Sequence, residues 1–232
     1  MMKRNLRSIF LAIVATAVVA SFAFRTTGAA SAEATASDVF DAVLKLTSQI
    51  PGEARTSRSL GTERQGHAVV IDYNGLALTI GYLILEAESV NLTTNDGKVV
   101  PAEILAYDHN TGFGMVRAIQ PLGVKPVRMG DSARAEDGVS ALAVVHGGMG
   151  NAVPVNIVSR RDFLGYWEYI LEDAIFTSPP FPSFGGAALI DQEGYLIGIG
   201  SLIIPNAGYP DSNSPGDMFV PINAISRLWR TC

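Results

Sequence analysis

From residue 66 onward the apolar residues come in short runs separated by turn dipeptides such as Asn74-Gly75 and Asp96-Gly97. That rhythm is the pattern of antiparallel hairpins. It predicts strands over residues 67–72, 76–80, 89–94, 98–107 and 113–119. Residues 123–137 hold Pro126, Gly130 and several charges without a long apolar run, and read as a connection between two halves. The second half repeats the style, with strands expected over 138–145, 151–160, 166–171, 174–178, 187–191, 195–204 and 218–221, and a turn at His146-Gly147-Gly148-Met149-Gly150. Two sets of about six short strands predict an all-β fold of two packed antiparallel barrels, one over residues 66–122 and one over 138–221. The flanks differ: residues 37–44 suggest a short helix capped by Ser37 that runs into a strand of the first barrel at about 44–50. Residues 52–65 read as an exposed loop, residues 205–216 as another, and 222–230 as a terminal helix within the closing segment 222–232.

Residues 1–32 change the picture of where the protein works. Lys3, Arg4 and Arg7 precede an apolar run over residues 9–24, and Ala30-Ser31-Ala32 has the small-x-small form of a cleavage site. This is the layout of a secretory signal, with the mature chain expected to begin near Glu33 at the head of the segment 33–65. A retained anchor is the alternative, but the run is shorter than the roughly 20 residues a spanning helix needs. The expected location is across the inner membrane, in the periplasm, with no membrane insertion after cleavage. The whole chain carries 17 basic and 22 acidic residues; removing residues 1–32 leaves 13 against 22, a net charge of −9. That balance speaks against nucleic acid as a partner. Cys232 is the single cysteine, so no internal disulfide supports the fold.

Candidate chemistry centres on Thr177-Ser178-Pro179-Pro180-Phe181-Pro182-Ser183-Phe184-Gly185-Gly186-Ala187-Ala188-Leu189-Ile190-Asp191 and the following Gly194-Tyr195-Leu196-Ile197-Gly198-Ile199. The stretch resembles the nucleophile loop of trypsin-like serine proteases, G-N-S-G-G-P-L in the HtrA/DegP branch. Gly66-His67-Ala68-Val69-Val70-Ile71-Asp72 is similar to that branch's G-S-G-V-V-I-D, and Gly75-Leu76-Ala77-Leu78-Thr79 to its G-x-I-L-T. Asp96-Gly97-Lys98-Val99-Val100-Pro101-Ala102-Glu103-Ile104 and Asp108-His109-Asn110-Thr111-Gly112-Phe113-Gly114-Met115-Val116-Arg117 continue the likeness, in the family's order. The resemblance runs from about Leu44 to Pro221 and implies the double β-barrel. It also implies that the slots of the general base, the orienting acid and the nucleophile hold Tyr82, Gly112 and Phe184.

None of those three can do the work. A phenol with an ordinary pKa near 10 is a poor acceptor for a serine proton, glycine has nothing to orient a base, and a phenyl ring has no oxygen to attack with. Pro182 stands where the family has an oxyanion-binding N–H, and proline has none. Ser183 adjoins the empty slot and reads as a loop serine; Gly185 and Gly186 match the family's paired glycines. His67, His109 and His146 read singly as a strand residue, a solvated loop residue and a turn residue. No ligand spacing points to a metal or cofactor; Asp211 and Asp217 with nearby Asn and Ser read as a polar loop. Tyr82 and Phe184 either pack together and fill the former centre or are merely tolerated there. The resulting expectation is an inactive protease homologue that binds protein or extended peptide, a mode that needs only backbone pairing and side-chain pockets. The alternatives are a serine endopeptidase with a rearranged site using Ser183, and a structural component of an envelope complex.

Overall fold

The computed structural model describes residues 36–165, 170–208 and 213–228. Strands β1 (Val43–Gln49), β2 (Glu63–Val70), β3 (Leu76–Ile80), β4 (Ser89–Thr93), β5 (Val99–Tyr107) and β6 (Phe113–Ala118) close into one antiparallel barrel. Strands β7 (Ser140–Val144), β8 (Val153–Leu164), β9 (Ile170–Ser178), β10 (Ala188–Ile190), β11 (Leu196–Ile204) and β12 (Gly216–Pro221) close into a second. The hydrogen-bonding order is first-second-third-sixth-fifth-fourth in both, so the same winding occurs twice. This is the two-barrel, all-β architecture that the strand pattern predicts.

Burial explains why some strands read as continuous apolar runs and others as alternating ones. All of β3 and β12 and most of β11 are buried, because β3 and β11 pack against each other where the barrels meet. By contrast β5 faces water on one side and reads Val99 out, Val100 in, Pro101 out. One apolar cluster runs from Leu44, Leu46 and Phe113 in the first barrel to Phe176, Met218 and Val220 in the second. A smaller cluster around Ile157, Ile175, Phe181 and Phe219 fills the interior of the second barrel.

Several boundaries differ from expectation. Ser37 lies inside a helix of Ala36–Asp41 and donates to Asp41 rather than capping it, and the chain enters β1 at Val43. Residues 52–65 are not a plain loop: they hold a one-turn helix, Ser57–Leu60, and β2 starts at Glu63 because Gln49 pairs with it. Residues 170–178 form one strand instead of the tail of one and all of another, since β8 runs on to Leu164 and pairs with β9 along its length. Residues 222–230 begin as a 3-10 turn, Ile222–Ala224, followed by the helical turn Ile225–Leu228. The secretory signal, Asp211 and Cys232 lie outside the described residues. Among the described residues no helix is long and apolar enough to cross a membrane.

Candidate functional site

The loops after β3 and after β9 meet in a cleft of about 390 Å³ between the barrels, whose lining includes Tyr82, Pro182, Ser183, Phe184 and Gly185. Tyr82 sits in a 3-10 turn, Gly81–Leu83, held from below by a buried arginine. Arg64 donates to the Tyr82 carbonyl at 2.6 Å, to the Leu85 carbonyl at 2.9 Å and to the Thr56 hydroxyl at 2.7 Å. Burial lowers the Arg64 pKa, and Glu86 opposes that shift. Glu86 itself, at φ 59°, accepts from the Thr56 amide at 2.8 Å and ties the loop end back to residues 55–56. The Tyr82 ring crosses the seam: its hydroxyl donates to the Ser201 carbonyl on β11 at 3.0 Å, and burial raises its pKa further above the ordinary phenol value.

The loop of Phe184 is wedged in place by its glycines. Gly186 has φ +76°, and a Cβ there would lie 2.0 Å from the His67 carbonyl; a Cβ on Gly200 would lie 2.0 Å from the Phe184 carbonyl. These approaches let the His67 amide donate to the Gly185 carbonyl at 2.9 Å, and the Gly186 amide to the Gly200 carbonyl at 2.8 Å. Beneath the loop, the fully buried Asp217 accepts from the Phe181 amide at 3.0 Å. Its second oxygen and the hydroxyl of its cross-strand partner Thr177 have no hydrogen-bond partner, and burial raises the Asp217 pKa to about 6.

Gly112 is placed differently. It adopts φ +80° in the turn after Asp108, and its carbonyl accepts the Gly81 amide at 2.7 Å, so it touches the backbone next to Tyr82 but does not line the cleft. The ring against Gly81 belongs to Tyr107, which stacks edge-on with His109 at 4.3 Å between centroids. Tyr82 and Phe184 share the cleft without forming a ring pair: Tyr82 reaches to Ser201 and Gly185, while Phe184 leans on the interior cluster of the second barrel. Their rings therefore do not close the cleft by packing together.

Two histidines that read singly in the sequence, His67 and His146, come together here with Lys45. His67 stands across from Lys45 in the β1–β2 ladder, and both line the cleft with His146. The His67 ring accepts the His146 amide on Nδ1 at 3.3 Å, which leaves its proton on Nε2. Burial, then the neighbouring His146, and to a smaller degree Lys45, push the His67 pKa down to about 4, with the Ser183 backbone opposing the shift. The His146 ring meets the Thr94 carbonyl through Nε2 at 3.2 Å. No group of three or more metal-ligating side chains forms among the described residues. The signal that would have found this cluster is the pairing of the strands at 44–50 and 67–72, which puts Lys45 and His67 on one face.

The sequence profile described as Trypsin-like peptidase domain matches residues 66–199, more than half of the chain. The chain belongs to the trypsin-like peptidase domain family. This trypsin-like chain is 27% identical over 172 residues to a probable periplasmic serine protease do/HhoA-like of Haemophilus influenzae, covering 70% of this chain and 35% of the relative. It is 28% identical over 149 residues to the periplasmic pH-dependent serine endoprotease DegQ of Escherichia coli, covering 63% of this chain and 33% of DegQ. The chain thus spans about a third of the length of these curated relatives. Its fold matches the solved HtrA-type protease AlgW with tripeptide at a TM-score of 0.66 and 22% identity, over 85% of this chain and 63% of that one.

Proposed function

We propose that this trypsin-like chain is a catalytically silent member of its family that binds protein or extended peptide in the cell envelope. The observation that carries the reading is the content of three slots, two of them at the cleft: Tyr82, Gly112 and Phe184 stand where the family resemblance expects base, acid and nucleophile. Each replacement removes a step of acyl transfer, and Pro182 takes away one oxyanion donor, which alone costs about 10²–10³ in rate. The usual residue of activity in a disabled triad, roughly 10³–10⁴ over water, rests on that oxyanion hole. The cleft itself stays open, and a peptide needs no nucleophile to dock in it. The periplasmic relatives and the signal-like pattern of residues 1–32 support an envelope location.

One observation favours a second reading, a serine endopeptidase rebuilt on Ser183: His67 and Ser183 line the same cleft. Against it, Nδ1 of His67 already accepts the His146 amide, no carboxylate orients the ring, and a base with a pKa near 4 draws a serine proton weakly. A fluorophosphonate probe, which reports activated serine, separates the two. The silent reading expects no labelling of the purified chain and no casein turnover. Labelling abolished by Ser183→Ala would establish the endopeptidase in its place.

A further inference from the structure

The cleft has an unusual division of polar groups. Several carbonyls at or near it are already used: Ser201 accepts from the Tyr82 hydroxyl, Gly185 from the His67 amide and Phe184 from the Ala187 amide. The amides of the exposed Ser183 and the half-buried Phe184 and Gly185, on the same loop, have no acceptor among the described residues. Successive unpaired N–H groups on a tight loop form a concavity that favours an anion. Lys45 lines the same cleft and has no carboxylate partner among the described residues. No Asp or Glu lines this chamber, nor the adjoining one of about 430 Å³ that shares His67, His146, Pro182 and Ser183 with it. Glu63, which accepts from Gln65, stays outside both. In a chain with a net charge of −5, a cleft with spare donors, one free ammonium and no acid is selective for an acceptor ligand.

We infer that the cleft between the barrels takes a carboxylate of its peptide ligand, with Lys45 as the counter-ion and the 183–185 amides as hydrogen-bond donors. The inference rests on the peptide-binding reading and narrows it: the anchoring group is either a free C-terminus or an Asp or Glu side chain. Charge-assisted bonds from an ammonium and backbone amides are the strong ones available to such a group. The phenol of Tyr82 contributes by occupying the Ser201 carbonyl, which would otherwise compete for a neutral amide donor.

The test uses three fluorescent decapeptides of otherwise identical sequence and the purified full chain. The first ends in a free carboxylate and has no acidic side chain; the second is amidated with a central Glu; the third is amidated with Gln in its place. Anisotropy titrations should show the first or the second binding at least tenfold more tightly than the third, and which of the two does so identifies the source of the carboxylate. Lys45→Gln should shrink that advantage below twofold, and Lys45→Arg should keep most of it. If the neutral peptide binds as tightly as the others, or the advantage survives Lys45→Gln, the carboxylate inference falls while peptide binding stands. If none of the three binds, the peptide-binding reading falls and takes the inference with it.

Discussion

The hydroxyl of Tyr82 donates to the carbonyl of Ser201 at 3.0 Å, joining a loop of the first barrel to a strand of the second. Ser201 lies at the register shift between Gly200 and Leu202, where β11 does not pair regularly with β12, so its carbonyl depends on a partner from outside the sheet. Tyr82→Phe keeps the ring and strands that buried acceptor. The expected loss is about 1–3 kcal/mol, read from urea unfolding. A change below a few tenths would mean that water replaces the phenol without penalty.

Arg64 fixes the same loop from beneath. Arg64→Ala removes donors to Tyr82, Leu85 and Thr56 together and should cost roughly 2–4 kcal/mol. Hydrogen exchange should quicken over residues 81–86 more than elsewhere. Uniform loss of protection across the first barrel would show that Arg64 supports the barrel and not the loop.

The buried Asp217 and the half-buried His67 should give stability opposing slopes with pH. The pKa of Asp217 rises from 3.8 to about 6 in the folded chain, so its contribution is whole below about pH 4 and disappears as the pH climbs through 6. The pKa of His67 falls from 6.5 to about 4, so its contribution is whole above pH 6.5 and disappears as the pH drops toward 4. Each is worth up to about 3 kcal/mol, and between pH 4 and 6 they largely cancel. Asp217→Asn should unmask the acid-side loss from His67 and be more stable than the original chain at pH 7.5, because an amide can donate to Thr177. His67→Asn should unmask the opposite slope. Thermal melts of both variants at pH 4.5, 6 and 7.5 check this, and parallel curves for all three proteins would refute it.

Gly186→Ala places a methyl group on the His67 carbonyl at a backbone angle of φ +76° that side chains rarely adopt. Destabilisation of more than about 2 kcal/mol is expected. The shape of the 183–185 loop should go with it, so the variant should lose peptide affinity even at temperatures where it remains folded.

Restoring the family residues tests whether the three slots converge. A chain carrying Tyr82→His, Gly112→Asp, Phe184→Ser and Pro182→Gly should gain fluorophosphonate labelling, and the single reversions should not, because triad members act as a unit. Aspartate tolerates the left-handed angle of Gly112 better than most residues. A folded fourfold variant that stays unlabelled would show that the slots are misassigned.

Much of the framework is legible in the sequence because its signals are local. Asn74-Gly75 and the apolar run after it mark β3 from Leu76 to Ile80, bounds that the strand pattern predicts unaided. Where local signals mislead, long-range pairing is the cause. Arg64 looks like loop polarity until Gln49 pairs with Glu63 and draws it inward, and β9 looks like two strands until β8 extends alongside it. The cleft is harder to read for the same reason. Pro182, Ser183, Phe184 and Gly185 fall in one motif, but Lys45, His67 and His146 come from β1, β2 and the turn after β7, and each is unremarkable until the barrels bring them together.

Because the winding is used twice, Tyr82 and Phe184 occupy equivalent places: each follows the third strand of its own barrel and precedes the fourth. Both connections lie outside the ladders that hold the barrels shut, so residues there can be exchanged without shifting any strand register. Reactivity in such an architecture is detachable, because the scaffold does not depend on what those two loops carry.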